Sequence, residues 1–165
     1  MDSSADAGNG APTPDDLRRY EALLTALRRM GSAVVAFSGG VDSSFLLHAA
    51  KEAMGEGVLA VTATSPTYPR SEREEAVRLA RSWGVRHRLV ESNELEIPGF
   101  SANPPDRCYH CKKELFGILA GIAREEGYAA VCDGSNADDA HDFRPGRRAA
   151  KELAVRSPLL ENGLT

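Results

Sequence analysis

Residues 33–44 read Ala-Val-Val-Ala-Phe-Ser-Gly-Gly-Val-Asp-Ser-Ser, and this run decides the fold. Ala33 to Phe37 is a compact apolar segment of strand type, and Phe45-Leu-Leu-His-Ala-Ala50 reads as the body of a helix. Ser38, Gly39, Gly40, Asp42, Ser43 and Ser44 sit at the junction, a strand-to-helix turn suited to wrapping an anion with backbone N–H groups. The turn carries no lysine, so it differs from the GxxxxGK[ST] loop, whose lysine reaches the β- and γ-phosphates. An aspartate in its place, Asp42, points to a pyrophosphate bound together with a cation. Helix capping is the competing account of Asp42, and Ser43 and Ser44 divide between capping and phosphate contact.

Working outward, Thr13-Pro-Asp-Asp16 predicts a helix start, with Thr13 as cap, Pro14 at the first position and an acid three residues after the cap. Leu17, Tyr20, Leu23, Leu24, Leu27 and Met30 follow at helical spacing, and Gly31 closes the helix. A helix is expected over 41–54 and a strand over 57–62. Ser71 with Glu74 predicts a capping box opening a helix over 71–82. Strands are expected over 85–89 and 128–132. Between them lies an irregular stretch over 91–107 and a helix that Lys112 and Lys113 begin and that ends before Gly127. A polar loop over 133–146, a helix over 147–153 and a short fifth strand over 155–157 complete the pattern. Strands alternating with helices predict an α/β fold: a parallel sheet of about five strands with helices on both faces.

The chain of 165 residues is long enough for one domain with a core, and 42% hydrophobic with 27% charged residues supports one. Twenty Lys and Arg against 24 Asp and Glu leave a net charge of −4, which disfavours a nucleic-acid partner except through a local patch. No apolar run approaches the ~18 residues of a membrane span, and no signal peptide is visible. Three cysteines, an odd count, argue against a disulfide framework and fit a reducing cytoplasm. Residues 1–12 are small and polar and read as a disordered tail. Oligomeric state is left open by the sequence.

In parallel sheets ligands gather at the carboxyl ends of the strands, where the order reverses. The loop over 38–44, Thr62-Ala-Thr-Ser65 and Asp133-Gly-Ser-Asn136 all follow strands, so one edge should collect them. ATP is then expected with its triphosphate against 38–44 and its adenine around Ala63 to Ser65. Asp133, Asn136, Asp138 and Asp139 form a cluster that is either a polar turn or a site needing Mg²⁺ or substrate donors. Cys108 and Cys111, beside Arg107, Lys112 and Lys113, are read as structural, as a redox or sulfur-handling pair, or as part of a metal site. Cys132, between Val131 and Asp133 at the end of a strand, is expected in the core. Arg144, with Arg147 and Arg148, is either a substrate-phosphate ligand or a solvated helix start.

The SGGVDSS string resembles the pyrophosphate-binding loop of the N-type ATP pyrophosphatases, among them NAD, GMP and asparagine synthetases and tRNA-sulfurating enzymes. Ala63 to Glu72, Asn103-Pro-Pro-Asp-Arg-Cys-Tyr-His-Cys-Lys112, Asp133 to Asp139 and Asp142-Phe-Arg-Pro-Gly146 together resemble the LarE family over about residues 14–165. The resemblance implies an adenine nucleotide alpha-hydrolase-like fold over 13–165, ATP and Mg²⁺, and a small-molecule nucleotide substrate. It implies adenylylation of a carboxylate on a pyridinium dicarboxylate mononucleotide, then sulfur transfer, in nickel-pincer cofactor synthesis.

Carried onto this chain, the resemblance implies nucleotide contacts from Phe37, Ser38, Gly39, Gly40, Val41, Asp42, Ser43, Ser44, Thr64, Lys112, Asp133, Gly134 and Asn136. Lys112, in the CYxCK string of that resemblance, is expected at the ATP phosphates; from residue chemistry Asp42 is expected as Mg²⁺ ligand, Asp42, Lys112, Cys108 and Cys111 as catalytic, and Arg107, Asp138 and Arg144 as substrate-binding. Relatives continue into a region that shapes the substrate site and supplies a sulfur-donor cysteine or iron–sulfur ligands. Here no cysteine follows Cys132, so the expectation for these residues is ATP binding ahead of complete sulfur transfer. Alternatives are tRNA sulfuration, an amide-forming ligase of the NAD, GMP or asparagine synthetase kind, and a non-catalytic nucleotide-binding module.

Overall fold

The computed structural model describes residues 11–64, 69–91, 107–136 and 145–164. Helix α1 (Pro14–Met30) opens with the expected capping box: the Asp16 N–H donates to Thr13 Oγ1 at 3.1 Å, and the Thr13 N–H donates to Asp16 Oδ2 at 2.9 Å. Strand β1 (Ala33–Ala36) leads into α2 (Val41–Met54), a 3₁₀ turn over Gly55–Gly57 and β2 (Val58–Thr64). Then come α3 (Arg70–Ser82), β3 (Arg86–Glu91), α4 (Arg107–Glu126), β4 (Ala130–Cys132), α5 (Pro145–Glu152) and α6 (Pro158–Glu161).

The four strands form one parallel sheet in the order β3-β2-β1-β4. Period-2 alternation splits the core into two layers. Ala33 and Val35 of β1 and Phe37 just beyond it, with Val58 and Ala60, pack with Leu23, Leu24, Leu27, Leu46, Leu47, Ala76 and Ala80 from α1, α2 and α3. Val34, Leu59, Val61 and Val131 point the other way, against Phe116, Leu119 and Ala123 of α4 and Ala149 and Ala150 of α5. Helices therefore cover both faces. The chain reverses direction across the sheet between β1 and β4, which pair directly.

Three expectations change. The fifth strand shrinks to one parallel bridge, Cys132 to Arg156, because Ala154 turns the chain at φ 57° on one side and Pro158 starts α6 on the other. Helix α3 begins at Arg70 with Pro69 as its cap and no side-chain cap bond; Glu74 accepts from Arg70 Nε at 3.0 Å instead of closing a box on Ser71. Helix α4 begins at Arg107, five residues before Lys112, so the CxxC lies in the first turns of the helix and not ahead of it. No proline or glycine lies between Pro105 and Lys112, so the earlier start is consistent with the sequence. Residues 1–10 of the expected tail lie outside the described residues.

Candidate nucleotide-binding edge

The loop after β1 is closed by its own side chains. Ser43 is buried (7% exposed), and its Oγ accepts from the Ser38 N–H at 3.3 Å and donates toward the Gly40 carbonyl at 3.4 Å. Ser38 Oγ lies 3.0 Å from Ser43 Oγ and accepts from the Gly40 N–H at 3.3 Å. Gly39 sits at φ +86°, the left-handed region where a side chain is strained, with Ala76 of α3 packed against it. This turn delivers the chain into α2, whose first N–H groups have no partner within the helix and whose dipole favours a bound anion.

The segment after β4 reaches across the switch point to the same turn. Asn136 Nδ2 donates to Asp42 Oδ2 at 2.9 Å, fixing that exposed carboxylate at the start of α2. Gly134 comes so close that a Cβ there would lie 2.9 Å from the Ser43 nitrogen. Asp133 is buried, and its carboxylate accepts from Ser157 Oγ at 2.7 Å, the Ser135 N–H at 3.2 Å and Ser135 Oγ at 3.1 Å. Its oxygens thus staple the loop to the chain ahead of α6.

On the other side, a cleft of about 370 Å³ is lined by Ser38, Gly39 and Gly40 and by Ser71, Glu72 and Glu75 of α3. That volume falls within the range of small-ligand sites. Thr64, half-buried at the end of β2, donates through Oγ1 to the Val90 carbonyl at 3.3 Å.

The structure therefore brings together Phe37, Ser38, Gly39, Gly40, Val41, Asp42, Ser43, Ser44, Gly134 and Asn136, with Asp133 behind them. Arg107, Cys108, Cys111 and Lys112 lie in the first turns of α4, their side chains outside the description, and Asp138 and Arg144 lie outside the described residues. Ser71, Glu72 and Glu75 were missed as lining residues, although α3 follows the carboxyl end of β2 and the same edge rule reaches it. Thr62 was expected at this edge as the start of the segment after β2, but His87 and its contact with Thr62 were missed, and only the register of β2 and β3 reveals them.

The arrangement fits a magnesium–phosphate group. The glycines leave the turn without side-chain bulk, Asp42 offers an anchored carboxylate, and Ser44 Oγ is buried with no hydrogen-bond partner among the described residues. An orphaned hydroxyl at the start of α2 is a donor in want of an acceptor. Among the described residues no group of three His, Cys, Asp or Glu is placed to hold a metal.

A parallel sheet whose glycine turn and facing acidic loop meet at the switch point defines an N-type ATP pyrophosphatase domain, and the comparisons agree. The asparagine synthase family model matches residues 20–118. The chain belongs to this family, the PP-loop ATP pyrophosphatases, and is homologous to the LarE-type synthases within it. It is 43% identical over 143 residues to an uncharacterised protein of Synechocystis, covering 87% of this chain and 53% of that one. It is 36% identical over 140 residues to pyridinium-3,5-bisthiocarboxylic acid mononucleotide synthase of Lactiplantibacillus plantarum, covering 84% of this chain and 51% of the synthase. The chain thus spans about half the length of these curated relatives. The ammonia-dependent NAD synthetase of Campylobacter jejuni shares the fold, with a TM-score of 0.63 at 15% identity over 88% of this chain and 76% of that one. Among the described residues, no helix is long and apolar enough to cross a membrane.

Proposed function

We propose that this domain binds ATP through the 38–44 turn and adenylylates a carboxylate, serving sulfur transfer onto a pyridinium dicarboxylate mononucleotide. The observation that carries the reading is the self-closed glycine turn at the β1/β4 switch point, with Asp42 anchored by Asn136. The substrate class comes from the name of the Lactiplantibacillus synthase, to which this chain is 36% identical over 140 residues.

In this account the backbone N–H groups of the turn and of α2 hold the β- and γ-phosphates, and Ser38 and Ser44 add hydroxyl donors. Asp42 would hold Mg²⁺, which supplies charge neutralisation on the phosphate oxygens. A substrate carboxylate oxygen bonds to the α-phosphorus as the bond to the β-phosphate bridging oxygen breaks, and pyrophosphate leaves with the electron pair. A thiolate then adds at the activated carbonyl carbon and AMP departs. Loss of the cysteine β-carbon–sulfur bond by elimination leaves the thiocarboxylate on the substrate and dehydroalanine in the donor protein. Thr64 and the end of β2 face the adenine, and Asp133 and Gly134 support the turn from β4. Lys112 is assigned to ATP phosphates, Cys108 and Cys111 to sulfur handling, and Arg107, Asp138 and Arg144 to the substrate nucleotide.

The test supplies MgATP with and without the pyridinium dicarboxylate nucleotide and separates products by ion exchange. AMP and pyrophosphate that depend on the carboxylate substrate are expected. ADP and phosphate, or AMP formed equally without substrate, would refute the reading. A sacrificed cysteine shows in the intact mass as a loss of about 34 Da, the mass of H₂S eliminated from the thiol nucleophile.

A further inference from the structure

The Phe37 carbonyl is the last peptide oxygen before the turn, and a side chain holds it: Thr62 Oγ1 donates to it at 2.6 Å. Thr62 is buried at 2% exposure, and the same oxygen lies 2.7 Å from His87 Nε2. A hydroxyl has one proton and a carbonyl only accepts. The Thr62 proton is therefore committed to Phe37, and the second contact exists only if the imidazole donates. His87 must carry its hydrogen on Nε2.

Register accounts for the meeting. His87 pairs with Ala60, so it projects from the same face as Ala60 and, two residues on, Thr62. The His87 ring also meets the Phe37 ring edge-on, with centroids 6.1 Å apart and planes at 89°. On the far side of the same peptide group, the Ser38 N–H donates to Ser43 Oγ. Both polar atoms of the 37–38 peptide are thus clamped, and its plane sets the direction in which Ser38 and Gly39 depart.

We propose that His87 is a positioning residue for the phosphate-binding turn, acting through Thr62 on the Phe37 carbonyl. The proposal rests on the reading that 38–44 binds the pyrophosphate part of ATP. Burial holds His87 below its ordinary pKa of 6.5, consistent with the neutral ring the relay uses. A residue without a donor at this point leaves the Thr62 oxygen half-satisfied and free to turn away from Phe37.

Titration calorimetry with MgATP and with magnesium pyrophosphate, on wild type, His87→Phe, His87→Gln and Thr62→Val, tests it. His87→Phe and Thr62→Val should each weaken binding about tenfold, the scale of one buried hydrogen bond. The double variant should be no worse than the weaker single, because both break one chain of bonds. His87→Gln, which keeps an N–H donor, should recover most of the affinity. Wild-type affinity in His87→Phe, or additive losses in the double variant, would overturn the proposal. A wild type that binds no MgATP would count against the proposed function instead. Imidazole ¹⁵N NMR of the wild-type chain decides the relay in that case, and also if the variants misfold. The Nε2–H tautomer at His87, assigned in the wild type through bonds from the His87 backbone amide, is expected, and the Nδ1–H tautomer would overturn it.

Discussion

Adding one methyl group at Gly134 should disable the phosphate turn from the opposite strand. In Gly134→Ala the new Cβ would lie 2.9 Å from the Ser43 nitrogen, 3.0 Å from its Cα and 3.2 Å from the Asp42 carbonyl carbon. These are backbone atoms of the first turn of α2, so no rotamer change relieves them. The closest contact is about 0.5 Å short of ordinary van der Waals separation, and something must move by that amount. Overpacking of this kind costs about 1–3 kcal/mol, a fall in Tm of about 2–4 °C per kcal/mol for a chain of this size. If α2 and the turn yield, the donors move with them. Roughly tenfold weaker MgATP binding is expected, the scale of one displaced hydrogen-bond donor. Calorimetric titration and a thermal melt on the same samples measure both losses. Gly40→Ala is the control: among the described residues its Cβ would meet only Ser38 Oγ, at 3.4 Å, so the fold should survive and any loss of affinity reports phosphate approach. Unchanged affinity and Tm in Gly134→Ala would refute the claim that β4 and the turn form one site.

Asp42→Asn should weaken MgATP far more than AMP, because the charge matters only where Mg²⁺ meets phosphate; equal losses in a binding assay would make Asp42 structural. Cys132 is fully buried and its thiol is pushed up to about 12, mainly by burial, so labelling at pH 7 should spare it until denaturant is added. Rapid modification in the folded chain would contradict that packing. Burial lowers the His87 pKa, so the unfolded chain takes up the proton first as pH falls below about 6.5. Its contribution to stability is complete above that pH and is lost downward through the folded-state value. Denaturant melts between pH 7.5 and 5 should show the slope, and His87→Gln should remove that part of it.

Much of the edge was legible because three polar segments each follow an apolar strand, and parallel topology leaves them one place to meet. The continuous apolar runs of β1 and β2 were equally plain, since two buried faces demand apolar residues at every position. What resisted was local. The box at Ser71 and Glu74 looked correct by spacing, yet Arg70 extends the helix by one residue and takes Glu74 as its partner. The start of α4 was masked by basic residues at 112 and 113, which suggested a boundary that propensity does not impose. Asp133 looked like a ligand by type, but Ser157, 24 residues away, accounts for its burial and no local pattern announces it. Thr62 and His87 sit on different strands, and their contact depends on register alone, which a single sequence does not fix.

The central claim is that the 38–44 turn reads the pyrophosphate of ATP and not the nucleoside. The chain holds a single tryptophan, Trp83, whose ring lies 6.2 Å from that of Phe37 at the head of the turn. Its fluorescence can follow MgATP binding while magnesium pyrophosphate or AMP is added as competitor. The account predicts that pyrophosphate displaces ATP and that AMP competes only weakly, with both effects absent in Gly39→Val. Ready displacement by AMP, with none by pyrophosphate, would contradict it.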